Sequence, residues 1–326
     1  MNLKDKTKNQ HYVSQAEQRL NAINPGDNKK HQKIYVFNLK DRENHSLCLN
    51  SDEGSKIEKT LSLDDLYSFD ILGKEAERYN FEKLFKIYED DVKTNTQSLM
   101  DKLPIAGSDI KLEILNIFAA KFLNFVRNPY SIKKVINTFP ELANVHPTDP
   151  AHLSNFERII NGKKPQQQAL CDQLHISVSE YTEWLAVIFL LLTPLKNGKP
   201  NLLEQALKGL LENPDYFICI NIYTYDEKTC LLSDRGYSIP LQEKDHMAFD
   251  FNLCSNAFVR YIFCDISTLV PPDIPKWLID DFKSQSKSID VRNLPNNLEE
   301  LDKYNKNVVY QCFGTVFNSS IECYGL

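Results

Sequence analysis

The sequence predicts an α+β fold, and three observations support that prediction. A polar, helix-forming start leads into a strand-like run at residues 33–39. From about residue 74 to 211, apolar residues recur at helical spacing. After Asp215 the pattern changes to short runs that are rich in β-branched and aromatic residues. We therefore expect a small N-terminal helix-plus-strand element, a mostly helical middle and a sheet-rich C-terminal part, packed as one globular unit.

The N-terminal element, residues 1–72, begins with a motif helix and continues as a β-hairpin. Ser14 and Glu17 have the spacing of a capping box, which predicts a helix that runs to about Ala22. The residues Asn-Pro-Gly-Asp at 24–27 then form a strong turn signal. Residues 33–39 and 46–49 are the expected hairpin strands, and a lone hairpin needs a sheet or helix to rest on. The two ends of the chain are therefore expected to pack together.

The remaining chain divides into a helical domain, 73–214, and a mixed β-rich domain, 215–326. The helix at 110–126 is hydrophobic on more than one face, which predicts a central position. The predicted helices are 79–103, 110–126, 131–138, a core helix through 184–192, 202–211 and 277–283. The predicted strands of the last part are 216–223, 229–232, 248–253, 259–264 and 308–318.

Composition indicates a globular protein that stays inside the cell. Of the 326 residues, 42% are hydrophobic and 25% are charged, as in ordinary globular domains. Eight cysteines without a Cys-x-x-Cys pair are typical of reduced, buried thiols in the cytoplasm. The start lacks the apolar core of a signal peptide, and the longest apolar run, 184–192, is too short to span a bilayer. The predicted location is cytoplasmic, with no membrane partner.

Charge is distributed unevenly along the chain. The net charge is -6, which disfavours uniform electrostatic binding to nucleic acid but allows a local basic face. Residues 1–42 hold nine lysines and arginines against four acidic residues, a net charge of +5 that leaves -11 on the remainder. This end is either a solvated, charged region or a surface that meets phosphates. The candidate nucleic-acid contacts are Lys29, Lys30, Lys33 and Arg127.

Short motifs spread over nearly the whole chain resemble those of the domain-of-unknown-function 4238 family. Members open with His-Tyr-Val-Pro, which stands here as His-Tyr-Val-Ser at 11–14, and carry an arginine where this chain has Arg19. The strand at 34–37, the Arg-Asn-Pro at 127–129, the Leu-Ser-Asp-Arg at 232–235 and the segment 305–319 match later family motifs. Ser14 and the Gly-Tyr at 236–237 replace family prolines, as in a divergent member. The resemblance implies an accessory of mobile elements or of defence loci.

Three residues are the candidates for catalysis. His11, near a helix start, suits a general base, a proton donor or a phosphate contact, or it fixes the path of the chain by hydrogen bonding. Arg19 offers a planar fork to a carboxylate or phosphate, or it forms a structural ion pair. Asp234 follows a strand, where it is either a displayed acid or a turn cap. If the three converge, they would support phosphodiester cleavage, with or without a metal.

Several other site classes lack sequence support. His146 and His152 do not have the spacing of a helical zinc pair, and the cysteines do not indicate a zinc site. The residues that an HNH nuclease needs after His11 are not in place, and the chain has no Gly-x-Ser-x-Gly elbow. The ten glycines include no phosphate-binding loop. No cofactor is predicted, and a divalent metal stays open.

Two functional hypotheses follow. The first is an effector or accessory of a bacterial antiviral-defence or toxin-type system, acting on nucleic acid in a nuclease-like way through His11 and Arg19. The alternative is a non-catalytic protein–protein interaction module in a multi-subunit defence complex. A protein partner and a homo-oligomer both stay open, and so does the enzymatic character of the chain.

Overall fold

Helices and antiparallel strands make up most of the structure, a computed structural model that describes residues 2–73, 77–195, 199–240, 246–271, 273–284 and 289–326. Helix accounts for 43% and strand for 22%, which confirms the predicted α+β class. The helices of the described residues are α1 (Gln15–Arg19), α2 (Glu82–Glu89), α3 (Val92–Lys102), α4 (Lys111–Arg127), α5 (Ile132–Thr138), α6 (Pro150–Asn161), α7 (Gln167–Leu174), α8 (Val178–Leu192), α9 (Leu202–Glu212), α10 (Ile266–Leu269), α11 (Lys276–Ser284) and α12 (Leu298–Gln311).

The strands form one five-stranded, one four-stranded and two two-stranded sheets in the described part of the chain. The four-stranded order is β10-β11-β8-β12, and the five-stranded sheet runs β3-β2-β13-β9 with β4 also paired to β2. The strands are β1 (Asn9–His11), β2 (Lys33–Asp41), β3 (Ser46–Leu49), β4 (Ser55–Lys56), β5 (Ser62–Asp64), β6 (Asp70–Leu72), β7 (Glu77–Tyr79), β8 (Tyr216–Thr224), β9 (Leu232–Ser233), β10 (His246–Cys254), β11 (Ala257–Asp265), β12 (Asp290–Pro295) and β13 (Thr315–Asn318).

Contacts divide the chain into two compact units, each built from separate stretches of sequence. Unit 1 comprises residues 1–16, 59–99 and 109–206, and unit 2 comprises 17–58, 100–108 and 207–326. The N-terminal segment that the sequence groups as 1–72 therefore contributes to both units, and the division falls inside α1. The expected start of the helical part, Lys74, lies outside the described residues.

Unit 1 is organised around α8, which α5, α6 and α7 contact. The Ser177 side chain accepts from the Glu180 amide and the Glu180 side chain accepts from the Ser177 amide, a complete capping box at the start of α8. From Trp184 onward every α8 residue is buried. The Trp184 indole N–H donates to the backbone carbonyl of Val126 on α4 at 2.8 Å, so burial of this ring leaves no unsatisfied donor.

Unit 2 joins the two ends of the chain in one sheet. Strand β2 pairs with β3, as the hairpin prediction requires, and its other edge pairs with β13 near the C-terminal end. The core beside it contains stacked rings, with centroids 4.5 Å apart for Tyr223 and Phe258 and 4.0 Å apart for Phe258 and Tyr304. Tyr304 lies on α12, so this helix is held to the four-stranded sheet by aromatic packing.

Four element predictions need correction. The predicted strand 229–232 is wrong except at its last residue, because β9 is Leu232–Ser233 and the amides of Cys230 and Leu231 donate to the Ser255 carbonyl and the Asn305 side chain instead of to a neighbouring strand. The predicted strand 308–318 is wrong in its first half, because α12 continues to Gln311 and only Thr315–Asn318 is a strand. The predicted helix 79–103 is two helices, α2 and α3, and Tyr79 belongs to β7. The first helix ends at Arg19, and the chain continues to Ala22 in tighter turns that join each amide to the carbonyl three residues earlier.

The described residues include no single helix that is long and apolar enough to cross a bilayer. Taken together, α7 and α8 have the length and apolar composition of such a helix, but the two are bent by 101° relative to each other.

Candidate functional site

His11 is held by a hydrogen bond on each side of its ring. It ends β1, opposite Ser62 of β5. Its Nδ1 lies 3.0 Å from the Thr60 carbonyl oxygen, and its Nε2 lies 2.8 Å from the Gln15 amide nitrogen. Because an amide nitrogen only donates and a carbonyl oxygen only accepts, Nδ1 carries the proton and Nε2 accepts. Both ring nitrogens of His11 are therefore engaged in hydrogen bonds.

The residues that follow His11 are unusually buried for their polarity. Ser14, Glu17 and Gln18 expose 1%, 3% and 0% of their surface. Arg19 is half-buried, and burial lowers the pKa of its guanidinium while the attraction of Glu58 opposes that fall. Burying polar side chains at this density costs free energy unless hydrogen bonds and ion pairs compensate it. The N-terminal motif is thus embedded in the fold rather than displayed on its surface.

Asp234 directs its carboxylate at the turn between α12 and β13. The carboxylate accepts hydrogen bonds from the backbone amides of Phe313, Gly314 and Thr315 at 2.8, 2.8 and 2.9 Å. Burial raises the pKa of Asp234, and the three amide donors oppose that rise. Asp234 exposes 2% of its surface, and backbone amides occupy both of its carboxylate oxygens.

The predicted nucleic-acid contacts fall into two groups. Lys29 and Lys30 are exposed in the turn before β2, and the Lys33 ammonium donates to the Glu53 carbonyl oxygen at 3.1 Å. Arg127, at the end of α4 in unit 1, exposes 1% of its side chain. It forms an ion pair with Glu89 and donates to the Asn124 side-chain oxygen at 2.8 Å. A phosphate would reach Arg127 only after this ion pair opened.

The catalytic candidates belong to different parts of the structure. His11 lies in unit 1, whereas Arg19 and Asp234 lie in unit 2. Within unit 2, Arg19 is attracted to Glu58, and Asp234 binds the turn at 313–315. The convergence of the three residues therefore stays a prediction.

A charged cleft of about 630 Å³ in unit 2 was not predicted from the sequence. Arg260 lines it and donates to the fully buried Asp250 through Nε at 2.7 Å and through a terminal nitrogen at 3.0 Å. A third bond, of 2.7 Å, joins Arg260 to Glu300 on α12. Burial lowers the pKa of Arg260, but the bonds to Asp250 outweigh that effect and raise it. Acidic side chains accompany the cations of this cleft, so it carries no clear preference for an anion.

An apolar groove beside α11 was also missed, although the helix itself was predicted. Trp277, Leu278 and Phe282 expose 69%, 42% and 54% of their surface, and α11 buries none of its residues. Between α10 and α11 lies a groove of about 330 Å³ with apolar lining, which includes Phe217, Ile266, Leu269, Ile274, Leu278 and Phe282. The signal in the sequence was the spacing of Ile274, Leu278 and Phe282, four residues apart.

The described residues contain no group of three or more histidines, cysteines, aspartates and glutamates that could hold a metal ion. All eight cysteines are free, and five of them are buried.

Comparison with known proteins gave no relative: no family model, no curated protein and no solved structure matches the chain.

Proposed function

We propose that this chain is a non-catalytic protein–protein interaction module, and that the groove beside α11 is where it binds its partner. The observation that carries the proposal is the exposure of Leu278 and Phe282, which line the groove, on a helix that buries no residue of its own. Exposed apolar surface of this kind marks interaction sites. A partner that covers the groove would remove this surface from water.

The charges of α11 favour a protein partner over a lipid surface. Helices that lie on membranes carry lysines and arginines on the polar face, which attract anionic lipids. The polar residues of α11 instead include Asp280 and Asp281 beside Lys276 and Lys283. We further propose that the partner is met in the cytoplasm, because eight free cysteines suit a reducing compartment.

The surroundings of the catalytic candidates support a binding role. Both ring nitrogens of His11 are engaged in hydrogen bonds, and the Asp234 carboxylate is engaged with backbone amides. Groups with these partners brace the local fold. Their chemistry is therefore accounted for without a substrate.

The experiment is co-purification of the tagged full-length chain under native conditions, from the cells that produce it. We expect a stoichiometric partner that Leu278→Asp removes and that Ile321→Asp retains. Ile321 is the matched control, since it is 56% exposed in unit 2 but does not line the groove. Loss of the partner in both variants, or in neither, would contradict the proposal.

The nuclease-like effector is a second candidate, favoured by one observation. His11 is partly exposed, and the side chain on its Nε2 is that of Gln15, which is also partly exposed. In this proposal the exposed Lys29 and Lys30 would hold phosphates, and the chain would act in a defence or toxin system as the 4238 family resemblance implies.

A further inference from the structure

We propose that a cleft beside α8 binds a small hydrophobic amine, and that the carboxylate of Glu183 holds the ammonium group of this ligand. The cleft lies in unit 1, whereas the groove beside α11 lies in unit 2, so the two sites are distinct. Three features of the cleft carry the proposal: its enclosure by three elements, its apolar and aromatic floor, and the single kind of charge in its lining.

Three elements enclose the cleft, which has a volume of about 530 Å³. They are α8, α6, and the 3₁₀ helix Pro140–Asn144 with the turn that follows it. On α8, the lining residues Ser179, Glu183 and Val187 are four residues apart, so their side chains share one face of the helix. Concave sites of about 300 to 1,000 Å³ with mostly apolar walls and a few polar groups are typical of small-molecule binding.

The floor of the cleft is apolar and aromatic. Phe156 is buried, and its ring centroid lies 5.2 Å from that of His146 and 6.1 Å from that of Phe189. Two lining side chains, Ile160 of α6 and Val178 of α8, remain 42% and 45% exposed. An apolar ligand body would cover these two side chains, and an aromatic body would add a contact with the ring of Phe156.

Glu183 gives the cleft its charge. The described lining contains this carboxylate and no lysine or arginine. Glu183 is partly exposed, and its carboxylate forms no hydrogen bond or ion pair with any other residue that the structure describes. Lys133 does reach α8, but it pairs with Glu180, at 3.7 Å. An ammonium group in the cleft would therefore meet a carboxylate that no cation of the described chain neutralises, beside walls that strengthen the attraction.

The same carboxylate disfavours other ligand classes. A fatty acid would suit the apolar walls, but its head group would lie beside Glu183 and be repelled. A metal ion needs several oxygen, nitrogen or sulfur ligands, and no group of three such acidic, histidine or cysteine side chains occurs in the described residues. A hydrophobic body with one ammonium group satisfies both the walls and the charge.

The test titrates the full chain with three probes that share a phenyl ring on a two-carbon linker. They are 2-phenylethylamine, 2-phenylethanol and 3-phenylpropanoate, which carry a positive, a neutral and a negative head group. Ligand-observed NMR at low salt measures each dissociation constant. We expect the amine to bind at least about threefold more tightly than the alcohol and at least about tenfold more tightly than the carboxylate.

Two variants separate the charge from the walls. Glu183→Gln should weaken binding of the amine by at least about threefold and leave binding of the alcohol within about twofold. The matched control is Glu141→Gln, at an exposed position that does not line the cleft, and it should leave both within about twofold. Ser179→Trp, at an exposed lining position, should fill the cleft and weaken both probes by at least about fivefold. If thermal melting shows that this variant does not fold, Ala143→Trp repeats the test from the opposite wall.

Several results would overturn the proposal. Equal binding of the amine and the alcohol, tighter binding of the carboxylate, or no binding of any probe would each do so. Amine binding that Glu183→Gln and Ser179→Trp leave intact, or that Leu278→Asp in the groove beside α11 weakens, would place the ligand elsewhere. A concentration-dependent dimer that Ser179→Trp abolishes would assign the cleft to a second copy of the chain.

Discussion

The carboxylate of Asp234 accepts a 2.8 Å hydrogen bond from the backbone amide of Gly314, eighty residues further along the chain. The amides of Phe313 and Thr315 donate to the same carboxylate. This contact fixes the turn at which α12 ends and β13 begins, next to the pairing of β13 with β9. Asp234, which the sequence alone suggests as a catalytic candidate, thus joins two distant segments of unit 2.

Removal of this carboxylate should destabilise the chain. We expect Asp234→Ala to lower the free energy of unfolding by about 3 kcal/mol or more, because three amide donors lose their acceptor. Urea unfolding measures the change, and Asp52→Ala, at an exposed site, should stay within about 0.5 kcal/mol of the wild type. An Asp234→Ala chain of unchanged stability would instead favour a role in chemistry.

Arg127 should also prove structural. Arg127→Met is expected to cost about 3 to 5 kcal/mol, because the partly buried Glu89 then loses its counter-charge. The Arg127 guanidinium also lies 5.1 Å from the ring of Phe85, so its removal loses packing as well. Equilibrium unfolding is the measurement, with Lys29→Met as the exposed control. Equal stabilities for the two variants would show that the buried ion pair contributes little.

Glu82 makes stability depend on pH. Burial, followed by repulsion from Glu89, raises the pKa of Glu82 to about 7, against an ordinary value of 4.5. Between these values the folded state holds a proton that the unfolded state releases, so the free energy of unfolding falls as the pH rises from about 5 to about 8.

Substitution of Glu82 tests that dependence. Glu82→Gln should match the wild type at pH 5 and exceed its free energy of unfolding by about 2 to 3 kcal/mol at pH 8. Urea unfolding at the two pH values measures the effect, and Glu157→Gln, at an exposed position, controls for loss of a carboxylate. If the free energy of unfolding of Glu82→Gln falls between pH 5 and pH 8 as much as that of the wild type, the pH dependence belongs to other groups.

The nuclease-like proposal depends on His11. If His11 braces the fold, His11→Ala loses two hydrogen bonds and should cost about 1 to 3 kcal/mol, seen as a lower melting temperature. Cleavage of RNA and DNA is measured on the same preparations, with and without a divalent metal. Arg19→Ala is assayed in the same way, and His31→Ala, at an exposed position, is the control. Cleavage by the wild type that His11→Ala abolishes at unchanged melting temperature would support the enzyme.

Local patterns in the sequence were sufficient to predict much of the fold. The hairpin β2–β3, the core helix α8 and the helix α11 follow from alternation and helical period, which act within a few residues. The strand prediction at 308–318 failed because Val308 and Val309 favour strands locally. In the structure both valines join Leu301 and Tyr304 on the buried face of α12, and this packing outweighs the local preference.

The candidate sites needed information that local patterns do not contain. Asp250 of β10 and Arg260 of β11 are directly opposite each other, and this pair can be recognised only when the register of the two strands is known. The exposure of Trp277 depends on what packs against α11, and the sequence gives only the period of the helix. The polar residues Ser14, Glu17 and Gln18 likewise have the sequence pattern of a solvent-exposed helix, and only the structure shows that they are buried.

Photo-crosslinking at position 282 is the most direct test of the central claim, that the groove beside α11 binds a partner. A photoreactive phenylalanine analogue replaces Phe282, which lines the groove and is 54% exposed, in the full-length chain in living cells. The same analogue replaces Ile321 as the control. We expect one discrete adduct from position 282, absent from position 321 and lost when Leu278→Asp is added. No adduct at 282, or an adduct that persists with Leu278→Asp, would contradict the claim.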